Sequence, residues 1–351
     1  MAKTGGSFNE LEEFVQSFGL GETDAIHIAE SFMDKNNIDL RPILMFCILL
    51  FFSCMPEKQS SAVPVYIQDY HTGSFYWLAR HLNWNKKYRL ILFDAHSDAY
   101  AVYRSEELKQ DLKRAVKQRR TEALLDTLRR HNIIQCYNWL EPLLPEPIKE
   151  VIWVPPTHVD KKKEIELRAQ IRRELCGRDP EAPAGSCALA GVFSIMDFEK
   201  LLSAEQDTNH CVVSIDLDYF YCMTEAQAAK QLDRILNFVF RIPGLAVVTV
   251  AISNIYLKHA AQGHRLLFLL LRALVEKRGM SVFFEPFIDD GEDLSREARE
   301  FLRRGETLPA YDIETAPDYL RRLLFAHRDR IIVDQAGGRW RRLLERWKTN
   351  N

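Results

Sequence analysis

Three stretches of the chain end an apolar run in side chains that bind metal ions. The first reads Arg89-Leu90-Ile91-Leu92-Phe93, followed by Asp94-Ala95-His96-Ser97-Asp98. Such an apolar run is a strand buried on both faces. Along an extended chain, side chains two residues apart point the same way. Asp94, His96 and Asp98 are therefore expected to converge just past the strand's carboxyl end, where open α/β sheets keep their ligands. Taken alone, the pattern also suits a polar loop that caps the next element. The second stretch, Cys211-Val212-Val213-Ser214-Ile215-Asp216-Leu217-Asp218, favours the metal, because two buried carboxylates on one strand face repel unless a cation or a proton intervenes. The third, Val65-Tyr66-Ile67-Gln68-Asp69-Tyr70-His71, ends in an acid and a histidine. Together His71, Asp94, His96, Asp98, Asp216 and Asp218 supply two imidazoles and four carboxylates. That is more than one ion uses, and suits two divalent ions sharing carboxylate bridges.

These side chains need a scaffold of strand ends. A helix is expected from Thr72 to Arg80, and a solvated helix or helix pair over Glu106 to Arg130, where leucines recur among charges. A strand follows at Glu150 to Val154, a charged helix at Lys161 to Leu175, and a Pro/Gly/Ala-rich loop at Gly177 to Gly191. After the second acidic strand come a crossover helix at Glu225 to Phe240, a buried strand at Leu245 to Ile252, a leucine-rich helix at His264 to Lys277, and a last strand at Ser281 to Phe287. Repeated strand–helix–strand units of this size indicate α/β architecture, a mainly parallel sheet covered on both faces. Helices at 7–18, 22–33 and 43–55 form an N-terminal extension without a chemical motif, and the tail from Ser295 reads as basic helices. Three segments are expected: 1–60 helical, 61–294 the α/β core with the metal site, and 295–351 basic and helical.

Composition is that of an ordinary soluble protein of 351 residues, 47% hydrophobic and 27% charged. A net charge of -2 gives no reason to expect a nucleic-acid partner. Seven cysteines, odd in number and without a Cys-x-x-Cys pair, argue against a disulfide framework and for a reducing compartment. No signal peptide opens the chain, and the strongest apolar run, at 43–55, is too short to span a bilayer. A cytoplasmic protein without membrane contact is expected.

The order of His71, then Asp94-Ala95-His96-Ser97-Asp98, then Ser214-Ile215-Asp216-Leu217-Asp218 resembles the ureohydrolase superfamily of arginases, agmatinases and relatives, over about residues 60–290. The resemblance implies an arginase/deacetylase-like three-layer fold, with N- and C-terminal helical extensions added here. It also implies two manganese ions per chain, held by those six side chains. The chain departs from free-arginine hydrolases in two places. Gln68-Asp69-Tyr70-His71 stands where they carry Gly-Gly-Asp-His, and Tyr219-Phe220-Tyr221 where they add an aspartate and a proline. Asp69-Tyr70-His71 with Trp77 six residues on, and Asp216-Leu217-Asp218-Tyr219-Phe220, are similar instead to a branch that includes peptide arginases, which turn arginine in ribosomally made peptides into ornithine.

By that resemblance a metal-bridging hydroxide attacks the guanidinium carbon, Asp98 helps move the proton to the departing amine, and Glu285 orients the cationic substrate. Asn138 is expected to line the site, since neither His131 nor His158 sits in a motif matching the family's proton-shuttling histidine. Ala99-Tyr100-Ala101-Val102-Tyr103 has little polar capacity to read a free amino acid. The expected partner is therefore an arginine-containing peptide, such as a ribosomal precursor; oligomeric state is left open. Two alternatives stand beside this: a zinc-type deacylase on the same fold, with one metal, and a non-catalytic scaffold that binds a peptide through its terminal helices.

Overall fold

The computed structural model describes residues 63–102, 104–131, 133–176, 189–204, 210–285 and 316–333. The chain separates into two units, Met1–Ser61 and Ala62–Asn351. The first lies outside the described residues, and with it the three helices expected there. So do residues 177–188 of the expected loop and the acidic residues that follow Glu285.

The described chain alternates strand and helix. Its elements are β1 (Val65–Gln68), α1 (Thr72–His81), β2 (Tyr88–Phe93), α2 (Ser105–Lys117), α3 (Thr121–Arg130), β3 (Ile148–Val154), α4 (Lys161–Cys176), β4 (Phe193–Ile195), α5 (Phe198–Ser203) and β5 (Cys211–Asp216). Then follow α6 (Glu225–Val239), β6 (Leu245–Ala251), α7 (Ala260–Leu271), β7 (Val282–Glu285), α8 (Asp318–Ala326) and β8 (Ile331–Val333). All eight strands run parallel, in the order β4-β3-β2-β5-β6-β1-β7-β8.

Period-two alternation along the strands divides the core into two layers. Leu90 and Leu92 of β2, Val151 and Trp153 of β3 and Val212 of β5 pack with residues of α1 to α4. Ile91, Phe93, Ile152, Val154, Val213 and Ile215 face the other way and pack with α5 to α8. Each helix contributes an apolar stripe at helical spacing, as in Ala228, Leu232, Ile235 and Val239 of α6. That helix starts at a capping box, in which Thr224 accepts from the Gln227 amide and Gln227 from the Thr224 amide. The result is the three-layer α/β arrangement expected.

Three departures from expectation have local causes. β4 and α5 were not foreseen, since strands of three residues and helices of six are too short for periodicity to register. Within the tail expected to be helical throughout, Ile331–Val333 forms an eighth strand beside β7, so Ser281 to Phe287 does not hold the last strand. Cys176, at the end of α4, is disulfide-bonded, which runs against the expectation of a chain without disulfides in a reducing compartment. Among the described residues, no helix is long and apolar enough to cross a membrane.

Candidate metal centre

Register brings the candidate ligands to one edge. Gln68 of β1 is paired with Ala251 of β6, and Ala251 with Asp216 of β5. Phe93 of β2 is paired with Ile215, so Asp94 emerges level with Asp216. The carboxyl ends of four adjacent strands thus open onto one place, with His71 supplied by the short step from β1 into α1. That step is tight: a Cβ on Gly73 would lie 2.8 Å from Gln68 Cγ, so only glycine admits the close approach.

The segment after β2 is not extended, although its three polar residues do converge. The His96 amide donates to Asp94 Oδ1 at 2.6 Å, turning the chain, and Asp98 takes a left-handed φ of 51°. The turn after β5 is built alike, with the Asp218 amide donating to Asp216 Oδ1 at 2.9 Å. The side chains therefore meet because two Asx turns fold back.

His71 Nδ1 lies 2.6 Å from Asp98 Oδ2, 3.1 Å from Asp94 Oδ2 and 3.3 Å from Asp216 Oδ2. His96 Nδ1 lies 2.9 Å from Asp218 Oδ2 and 3.7 Å from Asp94 Oδ1. Two groups, His71 with Asp94 and Asp216, and Asp94 with His96 and Asp218, each bring their ligand atoms within 4.8 Å of one another. Asp94 belongs to both. His71 and the four aspartates are buried, while the His96 side chain is 49% exposed and packs against Tyr256, marking the open side.

A second ring of contacts orients these ligands. His71 Nε2 meets Ser214 Oγ at 3.1 Å, and Thr249 Oγ1 donates to the same hydroxyl at 2.9 Å. A histidine donating through Nε2 presents a bare Nδ1 to a metal ion. Ser253, in the left-handed region at φ 47°, donates to Asp216 Oδ2 at 2.6 Å. Trp153 Nε1 holds the Asp94 carbonyl at 2.9 Å, and Trp139 Nε1 donates to Asp98 Oδ2 at 2.6 Å. Ser97 is tied to Glu174 of α4, whose backbone carbonyl accepts from the Ala101 amide at 3.1 Å.

The donor set could hold a metal ion. Asp94 Oδ2 and Asp218 Oδ2 are buried and make no hydrogen bond of good geometry, facing His71 Nδ1 at 3.1 Å and His96 Nδ1 at 2.9 Å, and a buried carboxylate oxygen is costly in that state. Burial, and then the charge of Asp218, hold Asp216 well above the usual carboxylate range; burial and then Asp94 raise Asp218 and bring Asp98 to about 7. Burial opposes ionisation of Asp94 too, but His71 and His96 pull it down to about 2. Burial lowers the proton affinity of both imidazoles, yet the facing carboxylates overcome it, carrying His96 to about 12 and His71 well above its ordinary value. A cluster that otherwise has to gather protons is one a cation satisfies.

The remaining expected site residues divide. Glu285 ends β7 level with Gln68, one strand beyond β1 at the same sheet edge. Asn138 does not turn to the ligands: its Oδ1 accepts from the Gln135 amide at 2.6 Å and its Nδ2 reaches the Ile133 carbonyl at 3.4 Å, closing its own loop. Its neighbour Trp139 reaches Asp98 instead. His131 ends α3 in an exposed position, and His158, 79% exposed, pairs with Asp197 at 2.8 Å. Ser214, Thr249, Ser253 and Trp139 went unread as site residues. The available signal was polar residues within apolar strands at Ser214 and Thr249; nothing local marked Trp139. No protein family and no curated protein matches the chain.

Proposed function

We propose that the chain is a metal-dependent hydrolase of the ureohydrolase kind, acting on the guanidinium group of an arginine within a peptide. The observation that carries this reading is Asp94, one carboxylate common to both ligand groups, which is how two divalent ions share a bridge. Hard oxygen donors with only two imidazoles suit manganese better than zinc. His71, Asp94, His96, Asp98, Asp216 and Asp218 would hold the pair. When bound, it supplies a water acidified enough to serve as hydroxide near neutral pH.

The chain's own residues hold and orient. Ser253 and the Asp218 amide keep both Asp216 oxygens in place, and Ser214 sets the His71 ring. In the balanced reaction a C–O bond forms at the guanidinium carbon and its bond to the side-chain nitrogen breaks. That nitrogen takes up a proton and leaves as the ornithine amine, with urea as co-product. The Asp98 carboxylate, in the same cluster, carries the proton. Beyond it, Ala99 and Val102 are buried and Tyr100 stands exposed, edge-on to Tyr137 with ring centroids 5.4 Å apart. A free α-carboxylate and α-amine need polar partners, and this stretch has no charged side chain. A peptide whose α-groups are already amides suits it better.

The test incubates the manganese-loaded full chain with free arginine and with an arginine-containing peptide, following urea and peptide mass. Urea and a peptidyl ornithine are expected from the peptide. Urea from free arginine alone removes the peptide reading, and a metal-loaded chain that yields none from either removes the hydrolase. About one zinc per chain, with release of acyl groups from acyl-lysine, would move the assignment to a deacylase.

A further inference from the structure

We propose that Trp139 is the positioning residue of the metal centre, its indole N–H holding the Asp98 carboxylate in the one orientation from which it can join His71 at a metal ion. The inference rests on the metal-centre reading above. Two nitrogens converge on the same oxygen: Trp139 Nε1 and His71 Nδ1 each lie 2.6 Å from Asp98 Oδ2. Asp98 itself takes a φ of 51°, a left-handed conformation that among non-glycine residues Asn and Asp adopt most readily, and the indole meets its carboxylate there. Trp139 is fully buried, with its ring 5.2 Å from the His71 ring, so it has no room to swing away.

The loop that carries Trp139 is also closed on itself. Asn138 pins it through Gln135 and Ile133, and the Tyr137 carbonyl accepts from the Tyr100 amide at 3.1 Å, two residues past Asp98. The indole is thus placed by a segment remote in sequence from every candidate ligand, and its donor holds one oxygen of a carboxylate that would bind a metal ion. Outer partners of this kind set ligand orientation, and losing one weakens metal binding about 10- to 100-fold.

The experiment is calorimetric titration of Mn2+ into the full chain and into Trp139→Phe, which keeps the ring and deletes the donor. Affinity is expected to fall about 10- to 100-fold. A second readout follows the indole N–H signals of the six tryptophans by NMR, with Mg2+ as a diamagnetic probe. The signal lost in Trp139→Phe is expected to lie downfield in the native chain and to move as Mg2+ is added. Unchanged Mn2+ affinity in the variant, with that signal still, overturns the inference alone. A native chain that binds no Mn2+ overturns the metal reading and this inference with it. Should Trp139→Phe not fold, Asp98→Asn is expected to shift one indole N–H signal upfield; no shift in any of them is equally fatal.

Discussion

The two faces of the sheet are made by the same strands and differ in kind. On the α5–α8 side, Ile67, Ile91, Phe93, Val213, Ile215, Val248 and Val250 form an unbroken buried apolar layer. On the α1–α4 side the strands begin alike, with Tyr66, Leu90, Leu92, Val212 and Val247, but turn polar toward their carboxyl ends at Gln68, Asp94, Ser214, Asp216 and Thr249. Burying uncompensated polar groups destabilises a fold, and here that cost falls on one layer while the other stays dry. The difference teaches where stability and chemistry are separable.

Four results would break or sharpen this contrast. Asp94→Asn keeps the shape of the shared ligand and removes its charge; urea production is expected to fall about 10³-fold or more, and metal content measured by elemental analysis to collapse, with the chain still folded. Ile215→Ala, one residue from Asp216 but on the opposite face, should cost about 2–5 kcal/mol in denaturant unfolding while the folded protein keeps its metal stoichiometry. A loss of metal there would show that the faces are not independent. Ser214→Ala removes the partner of His71 Nε2, so Mn2+ affinity should drop about 10- to 100-fold.

The remaining expected effect is that of pH. Facing carboxylates raise the proton affinity of His71 and His96, so near neutrality each ring carries a proton that a metal ion must displace. Binding therefore weakens as pH falls, about tenfold per unit for each proton displaced. Titrations one pH unit apart, in buffers of different ionisation enthalpy, read both the affinity and the proton release; a flat affinity would remove the imidazoles from the ligand set.

Legibility followed the range of the interaction. The apolar runs ending in acids placed β1, β2 and β5, and the helix at Thr72 and the pair over Ser105–Arg130 followed from spacing and charge. The i, i+2 argument expected the three residues after β2 to converge, and they do so by another route. An extended segment was expected, and an Asx turn with a left-handed Asp98 does the work. Asn138 illustrates the limit from the other side. A polar residue near the site was legible, but whether its amide or the next indole reached a ligand depended on how the loop closed.

The chain's own order of residues decided which strands are buried on both faces and which of them end in candidate metal ligands, because alternation and burial are local properties of a few consecutive side chains. Tertiary structure alone decided that Asp94 and Asp216 stand level, that Asp94 joins two ligand groups, and that Trp139 holds Asp98. Those outcomes depend on strand order, register and loop closure, which arise from contacts between segments tens of residues apart and leave no pattern within any one of them.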